Sequence, residues 1–164
     1  MQQNQKINAE KIKKAKEYAT KMHFGQTRKD GLTPYIVHPL AVAENLYNRG
    51  FGDDYIITAL FHDLLEDTSA TESDIEQIGG KNVLQAVKLL TKKQGYIMKE
   101  YVEAIKQNPI AYAVKGADRL NNIESAGNTP NDFKRRYIEE TKLWYLDFVP
   151  EMRAAVYELE KTLK

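Results

Sequence analysis

Residues 59–68 read ALFHDLLEDT. Asp53 or Asp54 can cap a helix upstream, and the apolar spacing predicts that this helix runs from there through Glu66. At about 100° per residue, Ile57, Leu60, Phe61, Leu64 and Leu65 fall on one side, and His62, Asp63, Glu66 and Asp67 on the other. The plain reading of the second side is a polar face turned to solvent. Four ionisable groups crowded between His62 and Asp67, three of them acidic, nevertheless carry a mutual repulsion that a cation would relieve.

Working outward, helical periodicity covers nearly the whole chain, and no alternating run of β-branched residues is long enough for a convincing strand. Asn8 can cap a first helix reaching about Met22. A loop, HFGQTRKDGLTPY, is enforced by Gly25, Gly31 and Pro34. His38-Pro39 opens a second helix to about Arg49, stopped by Gly50. Thr71 begins a short one that ends at Gly79-Gly80, and further helices are expected over Asn82–Lys92, Ile97–Gln107, Pro109–Glu124, Thr129–Val149 and Glu151–Thr162. The expected fold is an all-α bundle of about eight or nine helices in one domain covering residues 1–164.

Composition narrows the function. With 24 Lys plus Arg against 23 Asp plus Glu, the net charge of +1 excludes bulk binding of a phosphate backbone. The absence of cysteine excludes disulfides, thiolate nucleophiles and zinc–thiolate centres, and fits a reducing compartment. The N-terminal stretch MQQNQKINAEKIKKAK has no apolar core of a secretory signal, and no apolar run approaches the roughly 20 residues that span a bilayer. These features lead to the expectation of a cytoplasmic protein acting on a small molecule, with neither nucleic acid nor membrane as partner.

Two further segments carry candidate ligands. In YIVHP, His38 stands just before Pro39; in VKGADRLNN, Asp118 and Asn122 lie at i and i+4 on one helix face with Lys115 nearby. Gly116 costs a helix roughly 1 kcal/mol relative to alanine, which suggests a close packing or ligand approach at that point. Each segment alone reads as ordinary surface chemistry. Together, His38, His62, Asp63 and Asp118 offer two imidazoles and two carboxylates. That mixed nitrogen and oxygen set suits Mn²⁺ or Fe²⁺, with Zn²⁺ also accommodated. His23 reads as a structural residue near the end of the first helix.

The motifs HFGQTRKDG…PYIVHP, ALFHDLLEDT, TESDIEQIGGKNVLQAVKLLTK and VKGADRLNN, in this order, resemble the HD superfamily of metal-dependent phosphohydrolases. Within it they are similar to the hydrolase domain of RelA/SpoT homologues, which degrade guanosine tetra- and pentaphosphate alarmones of the stringent response. The resemblance covers about residues 20–147. It implies that His38, His62, Asp63 and Asp118 bind one divalent metal, usually Mn²⁺, and that Glu66 and Asp67 act beside the activated water. It also implies that Arg28 packs against guanine, Lys29 faces the phosphates and Asn122 touches the nucleotide near the ribose. Lys92, Lys115 and Arg119 are further candidate cations for the transferring group.

Three departures from the family pattern bear on substrate. RKDGLTPY has one residue more between Gly and Pro than is usual, with Asp30 where Ser is common, and an added acid there could redirect substrate choice. Asn121 replaces a common His, and Glu124 replaces a common Arg. With no synthetase or regulatory region after the hydrolase motifs, the expected architecture is a stand-alone hydrolase similar to the metazoan SpoT homologue. The expected reaction is release of the alarmone's 3′-pyrophosphate. The alternatives are hydrolysis of another nucleotide, such as removal of the NADPH 2′-phosphate, or a non-catalytic nucleotide-binding module.

Overall fold

A computed structural model describes residues 7–164; residues 1–6, part of the stretch on which the absence of a secretory signal was read, lie outside it. The described residues form helices and loops with no strand, and one isolated antiparallel bridge joins Thr27 to Pro34. The all-α expectation holds, with ten helical segments rather than eight or nine. They are α1 (Ala9–Met22), α2 (Val37–Asn48), α3 (Asp53–Phe61), α4 (Leu64–Asp67), α5 (Glu72–Gly79), α6 (Lys81–Leu90), α7 (Met98–Lys106), α8 (Pro109–Glu124), α9 (Asn131–Trp144) and α10 (Met152–Glu160). No helix among the described residues is long and apolar enough to cross a membrane.

The chain divides into two compact units, one ending at Val114 and the other running from Lys115 to Lys164. In the first, α3 is the central element, packed by α1, α2, α5 and α6. Its residues Ile56 to Phe61 are all buried. The two-sided helix read from the sequence is therefore corrected: α3 is covered all round, as expected for a helix in the middle of a core. The helix also stops at Phe61 instead of continuing to Glu66. His62 and Asp63 form the break, and α4 is a single turn beyond it. The Asp67 N–H donates to the Asp63 carbonyl at 3.0 Å, and the Thr68 hydroxyl donates to the Leu64 carbonyl at 2.7 Å.

Two of the expected caps are present, at Asn8 and Thr71, whereas α3 is capped by Gly52 with no side-chain hydrogen bond, and Asp53 and Asp54 lie in its first turn. The Asn8 side chain accepts from the Lys11 N–H, the Thr71 hydroxyl from the Asp74 N–H, and the Asn108 side chain from the Ala111 N–H just ahead of α8. Pro39 sits in the first turn of α2, where its missing N–H costs no helical hydrogen bond.

In the second unit, the C-terminal part of α8 packs with α9 and α10 around Leu120, Ile123, Ile138, Val149, Met152 and Val156. A Cβ on Gly116 would meet Val149 Cγ1 at 2.9 Å and the Phe148 carbonyl at 3.4 Å. Close packing therefore accounts for this glycine. The helix expected over Thr129–Val149 is shorter at both ends: Pro130 precedes it and Tyr145, fully buried, ends it.

Candidate functional site

The break after α3 determines what His62 and Asp63 can do. In an uninterrupted helix these neighbouring side chains would diverge. Here His62 Nε2 and Asp63 Oδ2 lie 3.0 Å apart. His62 is 4% exposed, so the solvated-face reading fails. Its Nδ1 lies 2.6 Å from the Ala59 carbonyl, which can only accept, so Nδ1 donates there and Nε2 is the nitrogen turned toward Asp63. His38, on the first turn of α2, is equally buried. The two imidazole rings are 5.4 Å apart, and each offers a nitrogen within 4.8 Å of one on the other.

Glu66 and Asp67 follow on α4, reachable by solvent but partly desolvated by the surrounding protein. Burial, then the nearby charges of Asp63 and Asp67, push the Glu66 carboxyl above its ordinary pKa, while the Lys92 N–H, which donates to Glu66 Oε1, opposes the rise. Asp67 is likewise raised by burial and then by Asp63, against the opposing influence of His23 and His62. The first unit thus assembles two buried imidazoles and three crowded carboxylates. This donor chemistry and excess negative charge fit a divalent cation.

The loop expected after α1 closes on itself as a short hairpin through its single bridge. The Tyr35 N–H donates to the Gln26 carbonyl at 2.8 Å, and the Arg28 N–H to the Thr33 carbonyl at 2.8 Å. The connection passes through Gly31 at φ +72°, a value that suits glycine. Lys29 is exposed and Arg28 partly so. Asp30 is exposed, and its carboxylate is engaged by its own turn. Its Oδ1 accepts the Leu32 and Thr33 N–H groups at 2.8 and 2.9 Å, and its Oδ2 accepts the Thr33 hydroxyl at 2.5 Å.

Sequence reasoning missed Gln26 and Tyr35 at the hairpin's base, where His23 keeps the structural role read for it. The Tyr35 hydroxyl donates to Asp63 Oδ2. The Gln26 amide donates to the Asp67 carbonyl at 2.8 Å while its oxygen lies 2.8 Å from His23 Nδ1. His23 is buried against the Tyr35 ring, with centroids 4.9 Å apart. The available signal for Gln26 and Tyr35 was their position in HFGQ and PY, flanking the basic pair.

In the second unit, Asp118 is 7% exposed. Lys115 Nζ lies 3.5 Å from its Oδ2, and the Asn122 amide donates to its Oδ1 at 3.2 Å. Lys115 also stands 5.3 Å from the centre of the Tyr145 ring. Lys92, in the first unit, reaches Glu66 through its main chain, while its ammonium lies over Tyr96 and Tyr101. Arg119 is not a phosphate-facing cation. It is 3% exposed, 4.0 Å from the centre of the Tyr137 ring and 4.4 Å from that of Tyr145, and paired with Glu140.

Comparison with known proteins agrees with this chemistry. Over 142 residues the chain is 34% identical to a guanosine-3′,5′-bis(diphosphate) 3′-pyrophosphohydrolase of Aquifex aeolicus, a match covering 82% of this chain and 20% of that protein. It is also 34% identical to the bifunctional (p)ppGpp synthase/hydrolase SpoT of Escherichia coli, over 80% of this chain and 20% of the relative. The chain thus spans about a fifth of the length of these curated relatives. Among solved structures, a metazoan orthologue of SpoT that hydrolyses ppGpp superimposes with a TM-score of 0.68 at 27% identity, covering 93% of this chain and 91% of the other. The HD domain family itself matches residues 15–148, and with the imidazoles and carboxylates in its motif positions, the chain belongs to that family.

Proposed function

We propose that this protein is a metal-dependent hydrolase of the 3′-pyrophosphate of guanosine tetra- and pentaphosphate, releasing pyrophosphate and leaving GDP or GTP. The observation that carries the proposal is the pair of buried imidazoles beside Asp63, Glu66 and Asp67, in a chain similar to enzymes named for this reaction. His38, His62, Asp63 and Asp118 would hold one divalent cation, Mn²⁺ by the resemblance. Such an ion lowers the pKa of water so that hydroxide forms near neutral pH.

In the reaction, water oxygen bonds to the phosphorus attached at the 3′ oxygen, the bond between them breaks, and the 3′ oxygen takes up a proton. Glu66 and Asp67, both holding protons more readily than ordinary carboxyls, are suited to orient the water and to deliver that proton. Arg28 would lie against the guanine and Lys29 against the phosphates. Asn122 would contact the nucleotide near the ribose, and Lys92 and Lys115 would add positive charge around the transferring group. The exposed carboxylate of Asp30 is engaged by its own turn, so the changed loop, which together with Asn121 favoured the NADPH reading, does not present an unengaged acid to the substrate.

The test is turnover by metal-stripped protein resupplied with Mn²⁺, using guanosine tetraphosphate, NADPH, GTP and a dNTP, with pyrophosphate and orthophosphate assayed separately. Mn²⁺-dependent pyrophosphate from the alarmone alone is expected. Orthophosphate from NADPH with the alarmone untouched would replace this reading, and silence across the panel would remove it.

A further inference from the structure

The hairpin at residues 26–35 carries Arg28 and Lys29, and its geometry is held at two places. At the base, Gln26 and Tyr35 pair through their main chains, and their side chains reach Asp67 and Asp63. At the tip, one carboxylate gathers three donors from the residues that turn the chain: two backbone N–H groups and the Thr33 hydroxyl, all accepted by Asp30. Those bonds, with the Thr33 hydroxyl bond contributing most, hold the carboxyl of Asp30 below its ordinary pKa. Thr33 is also the residue whose carbonyl accepts the Arg28 N–H at 2.8 Å. Asp30 and Arg28 therefore grip the same residue, one by its N–H and hydroxyl, the other by its carbonyl.

We infer that Asp30 is a positioning residue: through Thr33 it fixes the backbone of Arg28 and Lys29, so that the two cations meet a phosphorylated nucleotide already in place. The inference rests on the proposed role of Arg28 and Lys29 as nucleotide contacts. It reverses the effect expected from adding an acid to this loop. The carboxylate keeps its negative charge, but its hydrogen bonds to its own turn lower the ordering cost of binding. The same hydrogen bonds serve the longer turn, since RKDGLTPY has more backbone to restrain between the basic pair and Pro34.

The experiment compares the wild type with Asp30→Ala, which removes every acceptor, and Asp30→Asn, which keeps an oxygen for the two N–H groups while discarding the charge. With Mn²⁺-loaded protein and guanosine tetraphosphate, Asp30→Ala is expected to raise KM about tenfold with kcat within about twofold, and Asp30→Asn to restore KM to near the wild-type value. Amide exchange at Leu32 and Thr33 should quicken in Asp30→Ala and stay slow in Asp30→Asn. An unchanged KM in Asp30→Ala overturns the inference. So does a fall of KM in both variants, which would mean that the charge itself opposes binding, or protected amides in Asp30→Ala. If the wild type does not turn over the nucleotide, the proposed function falls and this inference with it. If the wild type is active and the variants fail as described, only the role of Asp30 is lost.

Discussion

Two polar clusters are sunk into this molecule, and they handle buried charge in opposite ways. In the unit from Lys115 onward, Arg119 is enclosed between two tyrosine rings, meets Glu140, and lies 3.4 Å from the Thr141 hydroxyl. Burial pushes both phenols well above their ordinary pKa, so they remain neutral walls around one cation. The cluster is complete within itself. In the unit that ends at Val114, His62 lies beside His38 and against Asp63, and burial with mutual repulsion raises Glu66 and Asp67. Buried charge that is fully answered by protein groups serves stability. Carboxylates pressed together beside buried imidazoles are suited to a ligand that brings positive charge.

The largest effect that could break this contrast is expected at His62 and Asp63. His62→Ala or Asp63→Ala should lower Mn²⁺-dependent turnover by roughly a thousandfold or more, because a lost ligand removes the means of generating hydroxide. The metal-free Asp63→Ala variant should unfold near the same urea concentration as the metal-free wild type, whereas His62→Ala also empties a buried position and should lose some stability for that reason. Equal turnover by wild type and variant would remove the catalytic reading, and a severe loss of stability in the metal-free Asp63→Ala variant would make this cluster structural after all.

Arg119 supplies the converse. Arg119→Met should leave Glu140 without its partner and two buried rings without their cation, at a cost of about 2–4 kcal/mol of unfolding free energy. Glu140 is 41% exposed and can recover water, which keeps the cost below that of a fully enclosed pair. Urea unfolding followed by circular dichroism checks it. A change under about 0.5 kcal/mol would show that the enclosure of Arg119 carries no stability.

These two clusters also show how far the sequence could be read. The ligand candidates were legible because short motifs carry them: His38 before Pro39, and His62-Asp63 in HDLLED. The helix break between Phe61 and Leu64 was not legible, since helical spacing runs straight through it. Arg119 was misread because its surroundings come from Tyr137, Glu140 and Tyr145 on another helix and its end, at separations that periodicity does not report. The hairpin was hidden for a related reason. Gly31 and Pro34 mark a turn, but which side chains satisfy it is a matter of geometry.

Gly116 tests the packing side of the second cluster with a smaller effect. Alanine improves helix propensity by roughly 1 kcal/mol, yet its Cβ would come 2.9 Å from Val149 Cγ1, and Val149 is buried with little room to yield. The expected balance is a net loss of about 1 kcal/mol in urea unfolding. A gain instead would mean that the contact with Val149 relaxes freely and that the glycine answers to something other than packing.

The smallest expected effect is local, and it lies at Asp30, a third way of holding charge: exposed, yet answered by neighbours. Its pKa moves in the direction opposite to those of Glu66 and Asp67. The Thr33 hydroxyl and the N–H groups of Leu32 and Thr33 favour the ionised form, so the folded hairpin holds this carboxyl below the ordinary aspartate range. The hairpin is thus reinforced at neutral pH, where the carboxylate is ionised in both states. That reinforcement is lost as pH falls through the lowered folded value, because protonation removes acceptors from three donors. The amide resonances of Leu32 and Thr33 should therefore stay fixed down to the ordinary aspartate pKa of about 3.8 and move only below it. In Asp30→Asn the same resonances should show no such step. A midpoint at or above the ordinary value would mean that the carboxylate is not engaged by its turn, and Asp30 would return to being a free acid beside the basic pair.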